Sequence, residues 1–207
     1  MIRQAKQSDL AEIAEVHKRR FPDSFSTVLG AGLLTKYYKE YFDEQPGLFL
    51  LSEEEGKITG FCMGYLVGVE NLAKRFVHRN AFAIAAKMVA RLLQGNKAAW
   101  SKVKGLVSSG DRVEYLNDAF DMVQGKQKVD LLSICVLPEY RGSGVAQSLI
   151  SAYEEQGRKF NRDFCILTVR NKNARGIRFY EKQGYVVQKR TEQKLSLIKD
   201  LRKEKHE

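Results

Sequence analysis

Hydrophobic positions along the chain follow two periods, one of about two residues in short runs and one of about 3.6 residues in longer segments. The two periods predict strands and helices in an interleaved order, with Ser8 as the N-cap of the first helix. The predicted strands cover residues 1–6, 48–52, 58–67, 129–136, 164–169, 185–189 and 194–198. The predicted helices follow Ser8 and cover residues 28–43, 74–93, 142–160 and 174–183. This order indicates an α+β fold with a central mixed β-sheet flanked by helices.

The composition is that of a globular protein, with 43% hydrophobic and 29% charged residues among 207. No apolar run approaches the roughly 20 residues that span a bilayer, and the N-terminus lacks the apolar core of a secretory signal. We therefore expect a cytoplasmic protein. We also expect a single domain over residues 1–200, followed by a charged tail over residues 201–207.

The cysteines and histidines show no spacing typical of a metal site or a disulfide framework. No C-x-x-C pair occurs, and the three histidines are far apart in sequence. The residues concerned are Cys62, Cys135, Cys165, His17, His78 and His206. We expect reduced cysteines and no metal.

A formal net charge of +10 and an isoelectric point near 9.5 favour an anionic ligand, nucleic acid or an acidic membrane surface. The excess is concentrated in residues 71–110, which contain no acidic residue. That stretch has few aromatic residues and no zinc-finger, RNP-like or KH-like signature. Nucleic-acid binding is therefore disfavoured.

A glycine-rich turn stands between the strand over residues 129–136 and the following helix, with the sequence Arg141-Gly142-Ser143-Gly144-Val145-Ala146. Two glycines let the backbone turn sharply and approach a ligand closely. The free N–H groups at the start of the helix and the helix dipole then favour an anion. Arg141 adds a positive charge. The turn is predicted to bind a pyrophosphate, the alternative being an ordinary connection between a strand and a helix.

This turn resembles the Gln/Arg-x-x-Gly-x-Gly/Ala motif of the GNAT (Gcn5-related) N-acetyltransferase family, preceded by the family's strand ending in Val-x-Pro. Residues 169–174 and 179–185 are similar to the family's next strand and helix. The resemblance is specific over residues 130–185, and over residues 1–67 it is only an order of elements. It implies the GNAT acyl-CoA N-acyltransferase fold and an acetyl-CoA-dependent N-acetyltransferase.

The resemblance also implies how acetyl-CoA would bind. The pantetheine arm would pair with main-chain atoms of Ile134, Cys135 and Val136. The pyrophosphate would lie on Arg141, Gly142, Ser143, Gly144, Val145 and Ala146. Asn173 would contact the cofactor, and Tyr180 would lie near the sulfur as the candidate general acid for the leaving thiolate. Packing in the core is the alternative role for Tyr180.

In this family the acceptor amine usually attacks the thioester directly, so the sequence needs no enzyme nucleophile, and Cys135 is expected to be a buried structural cysteine. A general base is harder to find, because residues 131–133 are uncharged where some relatives carry a glutamate. Asp130 is the nearest carboxylate. It is the candidate base, acting through water, or else only marks the end of a strand.

Because Asp130 is a weak candidate for the general base, the pKa of the acceptor amine becomes important. Deprotonating a lysine-type amine at pH 7 costs roughly 4.6 kcal/mol, against about 1.4 kcal/mol for an amine with a pKa near 8. An amino sugar nucleotide or another small amine of low pKa is therefore the expected acceptor. The alternatives are a protein acetyltransferase, acting on an N-terminus or a lysine, and a non-catalytic acyl-CoA-binding regulatory module.

Residues 70–127, where the family commonly has a short link, are predicted to form a helical insertion. Four basic residues in its first helix fall at multiples of four positions and predict a basic flank, namely Arg75, Arg79, Lys87 and Arg91. Three interpretations stay open. The flank is a solvated surface, a lid that attracts a phosphate-bearing acceptor, or a peripheral contact with anionic membrane lipid.

Overall fold

A seven-stranded sheet with the order β1-β2-β3-β4-β5-β7-β6 forms the centre of the computed structural model, which describes residues 1–22, 24–67, 72–93 and 127–202. The strands β4 and β5 are parallel, whereas the other neighbouring strands are antiparallel. The strands are β1 Ile2–Gln4, β2 Phe49–Glu54, β3 Lys57–Leu66, β4 Lys128–Val136, β5 Phe164–Arg170, β6 Val186–Arg190 and β7 Lys194–Asp200. The predicted mixed sheet is confirmed.

Helices cover both faces of this sheet. They are α1 Leu10–Arg20, α2 Phe25–Val28, α3 Ala31–Glu44, α4 Leu72–Arg79, α5 Ala81–Leu93, α6 Val145–Lys159 and α7 Ala174–Lys182. Residues of α1 and α3, such as Ile13 and Tyr38, pack in the core on one face, and residues of α6, such as Leu149 and Tyr153, pack on the other. In the described ranges, no helix is long and apolar enough to cross a bilayer.

Two predicted helix starts were wrong. A 3-10 turn over Gln7–Asp9 precedes α1, and the carboxylate of Asp9 accepts a hydrogen bond from the Lys6 N–H at 2.7 Å, so Ser8 is not the N-cap. Helix α6 begins at Val145 instead of Gly142, because Gly142 and Gly144 have φ angles of 84° and 85°, outside the helical region.

The single helix predicted over residues 74–93 is two helices that meet at Asn80. The main-chain N–H and the side-chain amide of Asn80 both donate to the Phe76 carbonyl at 3.0 Å. In the second helix Ile84 and Met88 are buried, whereas Ala85 is exposed. Residues 94–126, the rest of the predicted insertion, lie outside the described residues.

Two members of the predicted basic flank form ion pairs with the helix α3. The Arg75 guanidinium donates to Glu40 at 2.9 Å and to Glu44 at 3.0 Å, and Arg79 donates to Glu40 at 3.2 Å. These acidic residues belong to α3, so the two arginines attach α4 to the domain and their charges are already balanced. The lid and membrane interpretations therefore lose the support of Arg75 and Arg79.

The packed part of the chain extends through Leu201. This residue is buried, and its N–H donates to the Asp163 carbonyl at 2.8 Å. The charged tail expected from residue 201 therefore begins after Leu201.

A β-bulge in β4 determines which of its side chains face α6. The pairing runs from Met63 with Ser133 directly to Gly64 with Leu131, which leaves Leu132 as an extra residue. Before the bulge, the odd-numbered residues Val129 and Leu131 belong to the core beneath α6. After it, the even-numbered residues pack there, namely Ile134 and Val136.

Gly64 allows this close approach of β3 to β4 and α6. Its added Cβ atom would overlap the main-chain oxygen of Asp130 and the hydroxyl of Tyr153, which donates to that oxygen at 2.7 Å. We therefore expect Gly64→Ala to lower the free energy of unfolding by about 1–3 kcal/mol or more, as overpacked cores do. Urea unfolding followed by circular dichroism measures it.

The matched control is Gly32→Ala in α3, where an added Cβ has nothing within 4 Å. A helical alanine is expected to preserve stability or raise it by up to about 1 kcal/mol. Equal changes in the two variants would contradict the packing argument.

Candidate active site

A cleft opens at the centre of the sheet because β4 and β5 stay together for only three residue pairs. The pairs run from Lys128 with Phe164 to Asp130 with Ile166. Beyond them β4 continues along β3 and β5 continues along β7, so the two parallel strands part. Ligands of α/β sheets bind at such carboxyl ends of parallel strands. The cavity there has a volume of about 420 Å³, within the usual range for small-molecule sites.

The cleft brings together eight of the eleven cofactor-binding residues predicted from the sequence. They are Ile134, Val136, Arg141, Gly142, Gly144, Ala146, Asn173 and Tyr180. The structure adds nine lining residues that the motif did not predict: Arg20, Phe21, Tyr140, Gln147, Arg175, Gly176, Phe179, Lys182 and Gln183. Most of these lie on α7 or at the end of α1.

The glycine turn forms one wall of this cleft. Gly144 is the N-cap of α6 in the left-handed conformation and offers no capping side chain, so the first N–H groups of α6 have no partner within the helix. A Cβ atom built on Gly142 or Gly144 would meet nothing within 4 Å, so the surface of the turn is open. The turn therefore provides exposed donors and a helix dipole for an anion.

Three predicted residues do not line the cleft with their side chains. Cys135 lies in the core beneath α1, with its sulfur 4.0 Å from the Val16 carbonyl, and burial raises its pKa to about 12. Ser143 donates to the Tyr140 carbonyl at 2.7 Å, and Val145 packs in the core beneath α6. A protonated, buried thiol is a poor nucleophile, as expected. A main-chain role for Cys135 stays a prediction.

Asp130 is also placed away from the cleft. It is fully buried, between Tyr65 of β3 and Ile166 of β5, and it is absent from the lining residues. It reaches an acceptor in the cleft only through other groups, and its role as the base stays a prediction. Among the described residues, no group of three His, Cys, Asp or Glu side chains is placed to hold a metal ion.

Helix α7 presents Asn173 and Tyr180 to the cleft. The Asn173 side-chain oxygen accepts from the Gly176 N–H at 3.0 Å, which caps the helix and fixes its start. The Tyr180 ring packs against Phe179 and Tyr185, with ring centroids 5.3 and 5.8 Å away. Burial raises the pKa of Tyr180, so its hydroxyl remains protonated at neutral pH.

The cleft is strongly cationic. Among the described residues, four positively charged side chains line it and no carboxylate does, namely Arg20, Arg141, Arg175 and Lys182. Within the described part of the chain none of the four forms an ion pair, whereas Arg3 pairs with Asp9 and Glu53. The arrangement favours a ligand with several negative charges.

A hydrogen-bonded network holds the loop that carries Phe21. The His17 ring bonds to the Tyr38 hydroxyl through Nδ1 and to the Ser24 hydroxyl at 3.0 Å through Nε2. Ser24 donates to Thr27 at 2.9 Å, and Thr27 donates to the Phe21 carbonyl at 2.8 Å. Burial lowers the pKa of His17 to about 4, so this ring is neutral at pH 7.

The mixed sheet and its flanking helices form the acyl-CoA N-acyltransferase fold. The model of the acetyltransferase (GNAT) family matches residues 10–185, which is most of the chain. The protein therefore belongs to the GNAT acetyltransferase family, as its motif indicated. No curated protein matches the chain in sequence.

Solved structures with this fold include several acetyltransferases. Naa20 of Chaetomium thermophilum, in complex with a bisubstrate analogue, is 18% identical, with a TM-score of 0.59 over 100% of this chain and 90% of that one. The yncA protein of Salmonella typhimurium, with its cofactor acetyl-CoA, is 17% identical, with a TM-score of 0.56 over 97% and 93%. The PaiA N-acetyltransferase of Thermoplasma acidophilum, in complex with coenzyme A, is 16% identical, with a TM-score of 0.55 over 97% and 98%.

We expect Gly144→Glu to abolish acetyl-CoA binding, with a loss of at least about 100-fold in affinity. The substitution places a carboxylate at the anion-binding turn and forces a side chain onto a left-handed backbone. Isothermal titration calorimetry on the folded variant measures the affinity.

The control is Gly56→Glu in the β2–β3 hairpin, where φ is 75° and an added Cβ also has open space. It should carry a similar backbone strain and keep full affinity. Unchanged affinity in Gly144→Glu would refute the proposed position of the cofactor.

Proposed function

We propose that this protein is an acetyl-CoA-dependent N-acetyltransferase that moves an acetyl group to a primary amine by direct attack within a ternary complex. The observation that carries the proposal is the cleft itself. It combines the exposed start of a helix, cations that form no ion pair with any described residue, and a protonated tyrosine between two parting strands of the family's fold.

The residues present fit the cofactor. The open turn at Gly142 and Gly144, with Arg141, would hold the pyrophosphate. Beyond Asp130, the edge of β4 turned away from β3 has no partner among the described strands and offers main-chain N–H and C=O groups along Ile134 and Val136. The pantetheine amides would pair with this edge as a short added strand does.

Tyr180 would supply the proton that the departing group needs. Acetyl-CoA, when bound, supplies an activated thioester carbonyl, and breaking its C–S bond leaves a thiolate. Apolar surroundings raise the pKa of a thiol as they raise that of a phenol. The hydroxyl of Tyr180, buried against Phe179 and Tyr185, therefore remains a suitable donor to a sulfur in the same environment.

The acceptor is best explained as an amine that is easily deprotonated. None of the described residues lining the cleft carries a carboxylate or an imidazole, so the site favours an amine with a pKa near 8 over a lysine side chain. Two classes meet this condition. One is an amino sugar nucleotide or another small amine, and the other is the α-amine of a protein N-terminus, which has a pKa of about 7.7–8.0.

The second class is supported by the structural neighbours. They include Naa20 in complex with a bisubstrate analogue and the NatC complex bound to Gag peptide and CoA. The cationic cleft supports the first class, because a nucleotide sugar carries phosphates.

A screen for CoA release separates these classes. The acceptors are amino sugar nucleotides, small amines, peptides with a free N-terminus, and matched peptides with a blocked N-terminus and one lysine. We expect turnover with a low-pKa amine and little with the blocked peptides. Turnover confined to lysine peptides would contradict the amine argument, and tight acetyl-CoA binding without any turnover would indicate the non-catalytic module.

We expect Tyr180→Phe to lower kcat by about 100-fold while leaving the acetyl-CoA Kd within about twofold, since a general acid acts mainly in the transition state. Steady-state kinetics and calorimetry measure the two quantities. The control is Tyr37→Phe, a tyrosine of α3 whose hydroxyl donates to Tyr41 at 3.3 Å and which does not line the cleft. Full turnover in Tyr180→Phe would show that Tyr180 packs in the core and is not the general acid.

A further inference from the structure

Arg20 enters the cleft from outside the glycine motif. It is the last residue of α1, and it lines the same cavity as Arg141 and Arg175. Its guanidinium lies over the Phe21 ring, with Cζ 5.2 Å from the ring centroid. A guanidinium stacked on a ring keeps its N–H groups free at the edge of its plane.

The described residues place no counter-charge among the three arginines of the cavity. Burial and the charges of Arg141 and Arg175 lower the pKa of Arg20, although an arginine remains charged in a protein. The described residues provide no ion pair for Arg20, and no carboxylate lines the cavity. The neighbouring Arg19 differs, because it is exposed and pairs with Glu139 at 2.8 Å. Positively charged side chains that point at one space are stabilised when an anion binds between them.

We propose that Arg20 binds a phosphate group in the cleft, together with Arg175 and independently of the glycine turn. This inference rests on the proposed function. The phosphate has two possible sources, a phosphate of acetyl-CoA or a phosphate on the acceptor. Both require the same fork of N–H donors and the same charge.

Arg20 is held in position by its surroundings. The His17 network fixes the chain at Phe21, and the His17 and Phe21 rings lie 5.1 Å apart. The guanidinium is therefore presented to the ligand at a small cost in side-chain entropy.

The test compares Arg20→Ala and Arg20→Lys with the control Arg19→Ala, which removes an equal charge from the same helix end. Calorimetry measures binding of acetyl-CoA and of S-acetylpantetheine, which lacks phosphates, at low and high salt. If the cofactor supplies the phosphate, Arg20→Ala lowers the affinity for acetyl-CoA about tenfold or more and leaves the affinity for S-acetylpantetheine unchanged. The loss for acetyl-CoA is smaller at high salt. Arg20→Lys should fall between wild type and Arg20→Ala, because it keeps the charge without the fork.

If the acceptor supplies the phosphate, acetyl-CoA affinity stays normal in Arg20→Ala. The KM for a phosphate-bearing amine then rises about tenfold, and that for an uncharged amine does not. Three outcomes overturn the proposal. They are no change in either assay, an equal loss for acetyl-CoA and S-acetylpantetheine, or an equal loss in Arg19→Ala.

A failure of the proposed function itself gives a different result, because the wild-type protein then does not bind acetyl-CoA. In that case inorganic diphosphate serves as the probe. Weaker binding of diphosphate to Arg20→Ala than to Arg19→Ala would still support the phosphate site, and equal binding would overturn it.

Discussion

The parting of β4 from β5 is the constraint on which the site depends. Each strand is paired along its other side, β4 with β3 and β5 with β7, while the two share only three residue pairs. A sheet that kept its hydrogen bonds throughout would have no cavity here and no free strand edge. The opening leaves main-chain groups of β4 without a partner among the described strands, and such groups are unfavourable when buried without partners. In the proposed complex, the amide groups of the pantetheine arm would relieve this cost and would be recognised by the same atoms.

Electrostatic balance differs between the scaffold and the cleft. In the scaffold, positive charges pair with carboxylates, as Arg75 does with Glu40 and as Lys199 does with Glu154 at 2.7 Å. In the cleft, Arg20 and Arg175 have no such partner among the described residues. The net charge of +10 is thus less informative than its distribution. Ion pairs neutralise part of the basic stretch over residues 71–110. The positive charges that line the cleft come instead from separate helices and loops.

Local patterns were enough to predict the sheet, most helices and the glycine turn that lines the cleft. Alternation and helical spacing are properties of neighbouring residues, and a glycine turn before a helix binds anions through its own backbone. Contacts between distant segments could not be predicted in this way. Arg20 and Phe21 reach the cleft because α1 packs on β4, and the pairing of Arg75 with Glu40 depends on how α4 docks on α3. Asp130 is the nearest carboxylate in the sequence, but the neighbouring strands on both sides bury it.

The extra residue in β4 decides which side chains of this strand lie on each face of the sheet. Because side chains alternate strictly along a strand, one residue more or fewer exchanges every later side chain between the two faces. With Leu132 inserted, aliphatic Ile134 and Val136 pack on the face of α6, and the thiol of Cys135 is enclosed on the opposite face. Without this extra residue, Cys135 would face the cleft and would present its sulfur to the thioester of the proposed complex. In the proposed reaction the bulge would thus keep the acetyl group available to the incoming amine and would prevent its transfer to Cys135.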